Sequence, residues 1–114
     1  MATAYEGELH VEPNDFSLAA ERLILNGDHL SFHLTGEDDE GAFEIEAVAA
    51  KGEDGAFHAL KVPYTYKGWA DNYYATIVFS QVAERPRTCK LVGQWIDEDG
   101  SWTFHGTLRK FSAK

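Results

Sequence analysis

Two acidic runs and one aromatic run are the residues best placed to do chemistry. Glu37, Asp38, Asp39 and Glu40 stand between Gly36 and Gly41, and Asp97, Glu98 and Asp99 stand before Gly100. Between these runs lies the stretch VPYTYKGWADN, which carries Tyr64, Tyr66 and Trp69 and is followed by Tyr73. Carboxylates beside aromatic faces suit cations, through charge and a cation–π attraction of roughly 0.5–2 kcal/mol. Aromatics with polar groups also suit sugars or flat rings. The same residues have a plainer reading, in which the acids are solvated turn residues and Tyr66 and Trp69 plug an open end of the fold as core. The choice depends on whether the chain brings the three runs to one place.

The other chemistry-bearing residues are dispersed. His29 and His33 share a strand face but lie four residues apart, about 13 Å by strand rise, which is too far for one zinc ion. His10 and His105 become outward-facing neighbours only if the first and last strands pair. No metal site and no cofactor is assigned. The turn at 97–100 and the loop at 36–41 lack the ligand spacing of an EF-hand. Cys89 falls on an inward strand face and reads as a small buried hydrophobe. There is no Gly-x-Ser-x-Gly motif and no phosphate loop. Lys61 and Tyr5 are candidate inward polar groups, which leaves open a small-barrel isomerase, cyclase or decarboxylase. The residues as a whole lean away from an enzyme.

The elements that must position these groups are strands. Residues 89–111 form a hairpin around the turn Asp97-Glu98-Asp99-Gly100. Alternation puts Cys89, Leu91, Gly93 and Trp95 on one face, and Trp102, Phe104, Gly106 and Leu108 on the matching face. A four-residue loop sets Trp95 against Trp102, Gly93 against Phe104 and Leu91 against Gly106. Upstream, Tyr5, Gly7, Leu9 and Val11 alternate inward. A one-turn helix over 14–20 is an option before a strand at about 20–25, and Asn26-Gly27 marks a hairpin turn. Later strands turn Leu30, Phe32 and Leu34 inward, then Phe43, Ile45, Ala47 and Ala49. Next come Phe57 and Ala59, with Lys61 inward if the alternation persists, and then Ala75, Ile77 and Phe79. Pairing across 84–87 is expected to set Phe79 against Leu91, Ile77 against Gly93 and Ala75 against Trp95.

The sum is an all-β chain, an antiparallel up-and-down meander of about eight strands closed into one small barrel over residues 1–114. Closure removes the two exposed edges of such a meander. The strand count, the short turns and the segments Gly93 to Trp95 and Trp102 to Gly106 resemble the calycin-type barrels, the avidin and lipocalin group. The lipocalin-type Gly-x-Trp normally lies near the N-terminus and here lies near the C-terminus. The resemblance therefore implies the architecture, with no ligand and no binding residue carried over.

Successive turns of a meander alternate between the barrel ends. The links at 26–27, 51–55 and 83–87 belong to one end, and those at 36–41, 63–71 and 97–100 to the other. The second end gathers an acidic mouth (Glu37, Asp38, Asp39, Glu40, Asp97, Glu98, Asp99) around Tyr64, Tyr66, Trp69, Tyr73, Trp95 and Trp102. The leading expectation is a non-catalytic binding barrel that takes a small cationic or ring-bearing ligand there. The alternative is an acidic interaction module, such as an inhibitor or immunity-type partner of a basic protein. A net charge of −9 argues against nucleic acid and against anionic membrane surfaces. The N-terminal residues lack a signal pattern, which reads as cytoplasmic, with a processed secreted chain left open. Val48, Val78, Val82, Val92, Ile96, Tyr74 and Phe111 fall on outer faces, and a homodimer through the sheet around Val78 and Val92 is expected.

Overall fold

A computed structural model describes residues 2–12 and 16–111. Eight strands follow one another: β1 Thr3–Glu12, β2 Phe16–Asn26, β3 His29–Asp38, β4 Gly41–Lys51, β5 Phe57–Tyr66, β6 Tyr73–Glu84, β7 Thr88–Asp97 and β8 Gly100–Lys110. Each pairs antiparallel with the next, and β8 pairs with β1, so the sheet closes into a barrel. Residues 16–20 belong to β2 rather than to a helical turn. Leu18 and Ala20, both buried, gain more by lining the barrel than two turns of isolated helix could supply. Residues 14 and 15 lie outside the described residues.

The hairpin β7–β8 has the register read from the sequence: Trp95 faces Trp102, Gly93 faces Phe104 and Leu91 faces Gly106. Gly106 lets the closing ladder come close, because a Cβ there would lie 2.6 Å from the Glu8 carbonyl oxygen of β1. Gly93 is roofed on both sides, by Phe79 of β6 and Phe104 of β8. These two rings meet edge to face at 5.7 Å, and Phe79 meets Phe32 in the same manner at 5.1 Å. With Leu9, Leu23, Leu30, Leu34, Ile45, Ile77, Leu91 and Leu108, all buried, they fill the barrel from its middle to the end opposite the acidic turns.

Two irregularities correct the expected facing. In β5 the ladder with β6 shifts between Ala59 and Val62, so Leu60 and Lys61 are both exposed and Val62, Tyr64 and Tyr66 turn inward. Lys61 has a φ of 49°, and its N–H donates to Thr76 Oγ1 at 3.3 Å. It is therefore no inward polar group. Tyr5 is inward, but its hydroxyl donates to Glu84 Oε2 at 2.6 Å, at the end away from the acidic turns. A side chain other than glycine's in the left-handed region costs about 1 kcal/mol. Lys61→Gly is expected to raise stability by up to about that amount, read as a higher denaturation midpoint.

The second shift, a single extra residue between Phe79 and Gln81, changes the β6–β7 register by one, and the stretch before it pairs two residues away from the expected register. Phe79 faces Gly93, Ile77 faces Trp95 and Val82 faces Leu91, in place of the expected pairs. The extra residue also turns Val82 from the outer face onto the core. Of the other apolar residues assigned outward, Val48, Tyr74, Ile96 and Phe111 are exposed, and Val78 and Val92 are half-buried. Cys89 is fully buried, and burial together with the nearby Glu84 charge pushes its thiol up to about 11, which suits packing and not nucleophilic attack.

Candidate functional site

One end of the barrel carries the β3–β4 turn at Asp39-Glu40, the β5–β6 link at 67–72 and the β7–β8 turn at Glu98-Asp99. Strand ends deliver large rings beneath them. Tyr64 and Tyr66 stand at i, i+2 on β5 and so share its inner face. Phe43 comes from β4, Tyr73 from β6, Trp95 from β7 and Trp102 from β8. The rings interlock, with Phe43 touching Tyr64, Tyr66 and Trp95 at centroid distances of 6.1, 5.7 and 5.5 Å. Tyr64 meets Trp95 at 5.0 Å.

A cavity of about 90 Å³ opens among them, lined by Val11, Leu18, Asp38, Phe43, Tyr64, Tyr66, Trp95, Asp97 and Trp102. Of the expected ligand-binding aromatics, Tyr64, Tyr66, Trp95 and Trp102 reach this cavity. Trp69 and Tyr73 do not line it and form a layer outside it. Trp69 lies 5.6 Å from Tyr66 and 6.2 Å from Tyr73, and its 44% exposure leaves it as a lip. Of the seven mouth acids only Asp38 and Asp97 line the cavity. Glu37 lines a groove on the outer surface instead, and Asp39, Glu40, Glu98 and Asp99 are exposed at the turn tips. Val11, Leu18 and Phe43 line the cavity without having been singled out. The inward alternation of Val11 and Phe43 is readable, though nothing in their type distinguishes wall from core, whereas Leu18 falls in the segment open to a helical turn.

The two lining carboxylates have a double task. Asp38 Oδ1 accepts the Glu40 N–H at 2.8 Å and Asp97 Oδ1 accepts the Asp99 N–H at 2.8 Å, which closes each turn. The other oxygens face the rings. Asp38 Oδ2 accepts the Tyr66 hydroxyl at 2.8 Å. Asp97 Oδ2 accepts the Trp95 Nε1–H at 3.0 Å and has a longer contact, 3.5 Å, with the Tyr64 hydroxyl. The result is a small apolar chamber with two anchored negative charges at its rim.

Burial, then the hydrogen bond to Asp38 and its charge, holds the Tyr66 phenol well above its ordinary value. Burial, then the Asp97 and Asp38 charges, does the same for Tyr64, and burial with Glu84 does so for Tyr5. The folded chain therefore resists ionising phenols that the unfolded chain ionises near pH 10. The stability this contributes is present below pH 10 and is lost as pH rises beyond it. In a spectrophotometric titration, three of the five tyrosines are expected to ionise late, in one step that coincides with loss of the far-UV signal. Five phenols titrating together before unfolding would contradict this geometry.

No family model matches the sequence, and no curated protein matches it. Among solved structures, the chain resembles bovine odorant binding protein in complex with undecanal, at a TM-score of 0.61 and 12% identity, covering 98% of this chain and 71% of that one. It also resembles bovine odorant binding protein with a selenium-containing odorant, at a TM-score of 0.63 and 13% identity, covering 99% and 74%. With its eight-stranded meander closed on itself, the chain has the calycin-type barrel fold of those structures.

Proposed function

We propose that the barrel binds a small molecule at its acidic end, and that the cavity takes the cationic head group of that ligand. The observation that carries this reading is the pairing of Asp38 and Asp97 with four aromatic side chains around one cavity. An ammonium group there meets charge at the rim and ring faces at the walls. The structurally similar bovine odorant binding protein forms complexes with undecanal and with a selenium-containing odorant. Size sets the limit. The chamber holds about 90 Å³, against roughly 300–1,000 Å³ for pockets that enclose a drug-sized ligand. Phe79 and Phe104, both fully buried, meet edge to face in the barrel core. The ligand therefore seats a head and leaves its remainder outside, against Trp69.

All three tryptophans of the chain, Trp69, Trp95 and Trp102, lie at this end, so intrinsic fluorescence reports on this site alone. Titration with benzylammonium is expected to give a saturable spectral change and a higher melting temperature, both weakened by salt. Benzyl alcohol, similar in shape but neutral, is expected to bind at least about tenfold more weakly, a difference of about 1.4 kcal/mol. Equal binding of the alcohol, or of undecanal, would remove the cationic reading and leave a neutral apolar ligand.

The exposed tips Asp39, Glu40, Glu98 and Asp99 favour a second reading, a basic protein partner docked on the rim. That reading expects salt-sensitive capture of a basic protein and no response to benzylammonium.

A further inference from the structure

Away from the cavity, on the outer face of the closing ladder, three side chains converge. Pairing of β1 with β8 sets His10 opposite His105, with ring centres 5.4 Å apart and planes at 63°. Glu12 stands two residues beyond His10 on β1 and projects from the same face. Its Oε2 lies 2.9 Å from His105 Nε2. One donor atom from each of the three falls within 4.8 Å of the others. We propose that His10, Glu12 and His105 form a mononuclear site for a divalent transition-metal ion of the zinc type, with the fourth position left to water.

The donor atoms, now within 4.8 Å of one another, must draw together around the ion through side-chain rotation. Zinc–ligand bonds of about 2.0–2.2 Å in a tetrahedron put donor atoms roughly 3.3 Å apart, and put the centres of two bound imidazoles roughly 5 Å apart. The two rings already stand at 5.4 Å. The Glu12–His105 contact must widen by a few tenths of an ångström, as the ion replaces the hydrogen they share. The side chains of His105 and Glu12 are 46% and 60% exposed, so both can turn and an ion can reach them from water. Two imidazoles and one carboxylate suit zinc, cobalt, nickel or copper, whereas magnesium and calcium call for oxygen donors.

Two other histidine–acid pairs lie on the surface, His33 with Glu44 at 2.7 Å and His58 with Asp54 at 3.1 Å. Among the described residues, neither gathers a third donor as His105 and Glu12 do. Barrel closure makes the His10–His105 pair foreseeable from the sequence, but not Glu12 as a third donor, 93 residues from His105. The same separation gives the site its consequence. The donors meet only when β1 and β8 are paired, so the ion stabilises the closed barrel over the open chain.

The test is calorimetric titration of zinc sulfate into tag-free, chelator-stripped protein, with melting temperatures measured in parallel. One ion per chain and a higher melting temperature are expected. His105→Ala and Glu12→Gln are each expected to weaken zinc by at least about tenfold, and His33→Ala to leave it unchanged. Cobalt in place of zinc should give the visible bands of nitrogen and oxygen ligation with no thiolate charge-transfer band. If alanine at 105 weakens the fold, His105→Gln gives the same comparison on folded protein. Absence of one-site binding at millimolar zinc overturns the proposal. So does an unchanged affinity in the His105 variants, which would locate the ion elsewhere and leave the trio a surface ion pair beside a ring contact.

Discussion

Gly93→Ala is expected to remove roughly 3 kcal/mol of stability, the upper range for overpacking a close-packed interior. A Cβ at 93 would lie 2.5 Å from Phe104 Cζ and 2.5 Å from the Val78 carbonyl oxygen. The ring could tilt, but the carbonyl is backbone in the β6–β7 ladder and cannot move without breaking the pairing of Phe79 with Gly93. For a domain of 114 residues the loss corresponds to a melting temperature lower by about 10 °C or more. A companion substitution separates the two clashes. Phe104→Leu in the Gly93→Ala background relieves the ring and leaves the carbonyl, so the double variant should recover only in part. Urea denaturation followed by circular dichroism measures both, and a loss under about 1 kcal/mol for the single variant would mean the two strands do not approach as described.

The second large effect is expected at Asp97, where alanine and asparagine should part company. Alanine deletes the acceptor of the Trp95 indole and of the Asp99 N–H, together with the longer Tyr64 contact. Because the site is half-buried and water can reach it, the expected cost is about 2 kcal/mol rather than the full sum. Asparagine keeps one carbonyl oxygen and the shape of the turn, so its cost in stability is expected to stay under about 1 kcal/mol. Its effect on binding is larger. Removing one of two rim charges is expected to weaken benzylammonium by at least about tenfold and to leave benzyl alcohol unaffected. If Asp97→Asn binds benzylammonium as tightly as the parent, charge does not select the ligand and the cationic reading fails.

Much of the architecture was legible because alternation and turn chemistry agree along most of the chain. Trp95 could be set against Trp102, and the acidic turns assigned to one end, since both follow from period two and strand order. The bulges were not legible. A single extra residue at Leu60-Lys61 or Ser80-Gln81 reverses the facing beyond it, and neither pair carries a glycine or proline that would announce a break. That explains the inward expectation for Lys61 and the outward one for Val82; the β6–β7 register differs because β6 stays paired through Glu84, a residue of the expected turn. At the acidic end the residue types were readable but their reach was not. Asp38 and Asp97 sit on the last positions of β3 and β7, where a side chain can bend over the cavity, whereas the other five acids stand on the tips or the outer wall. Trp69 and Tyr73 were read as one layer with Tyr64, and they form the next layer out.

The closed ring has a consequence for how the chain reaches it. Seven of its eight ladders join strands adjacent in sequence, and β1–β8 alone joins the two ends. Hairpins of this kind form in about 1–10 μs, whereas the last ladder must wait for a loop of some ninety residues to close. Until it does, β1 and β8 are open edges that could pair with another chain. Those edges carry Glu6, Glu8, Arg109 and Lys110, and Arg109 and Glu6 finish 3.9 Å apart. In the open meander, charges that contribute little to the finished barrel guard it against pairing with the wrong chain.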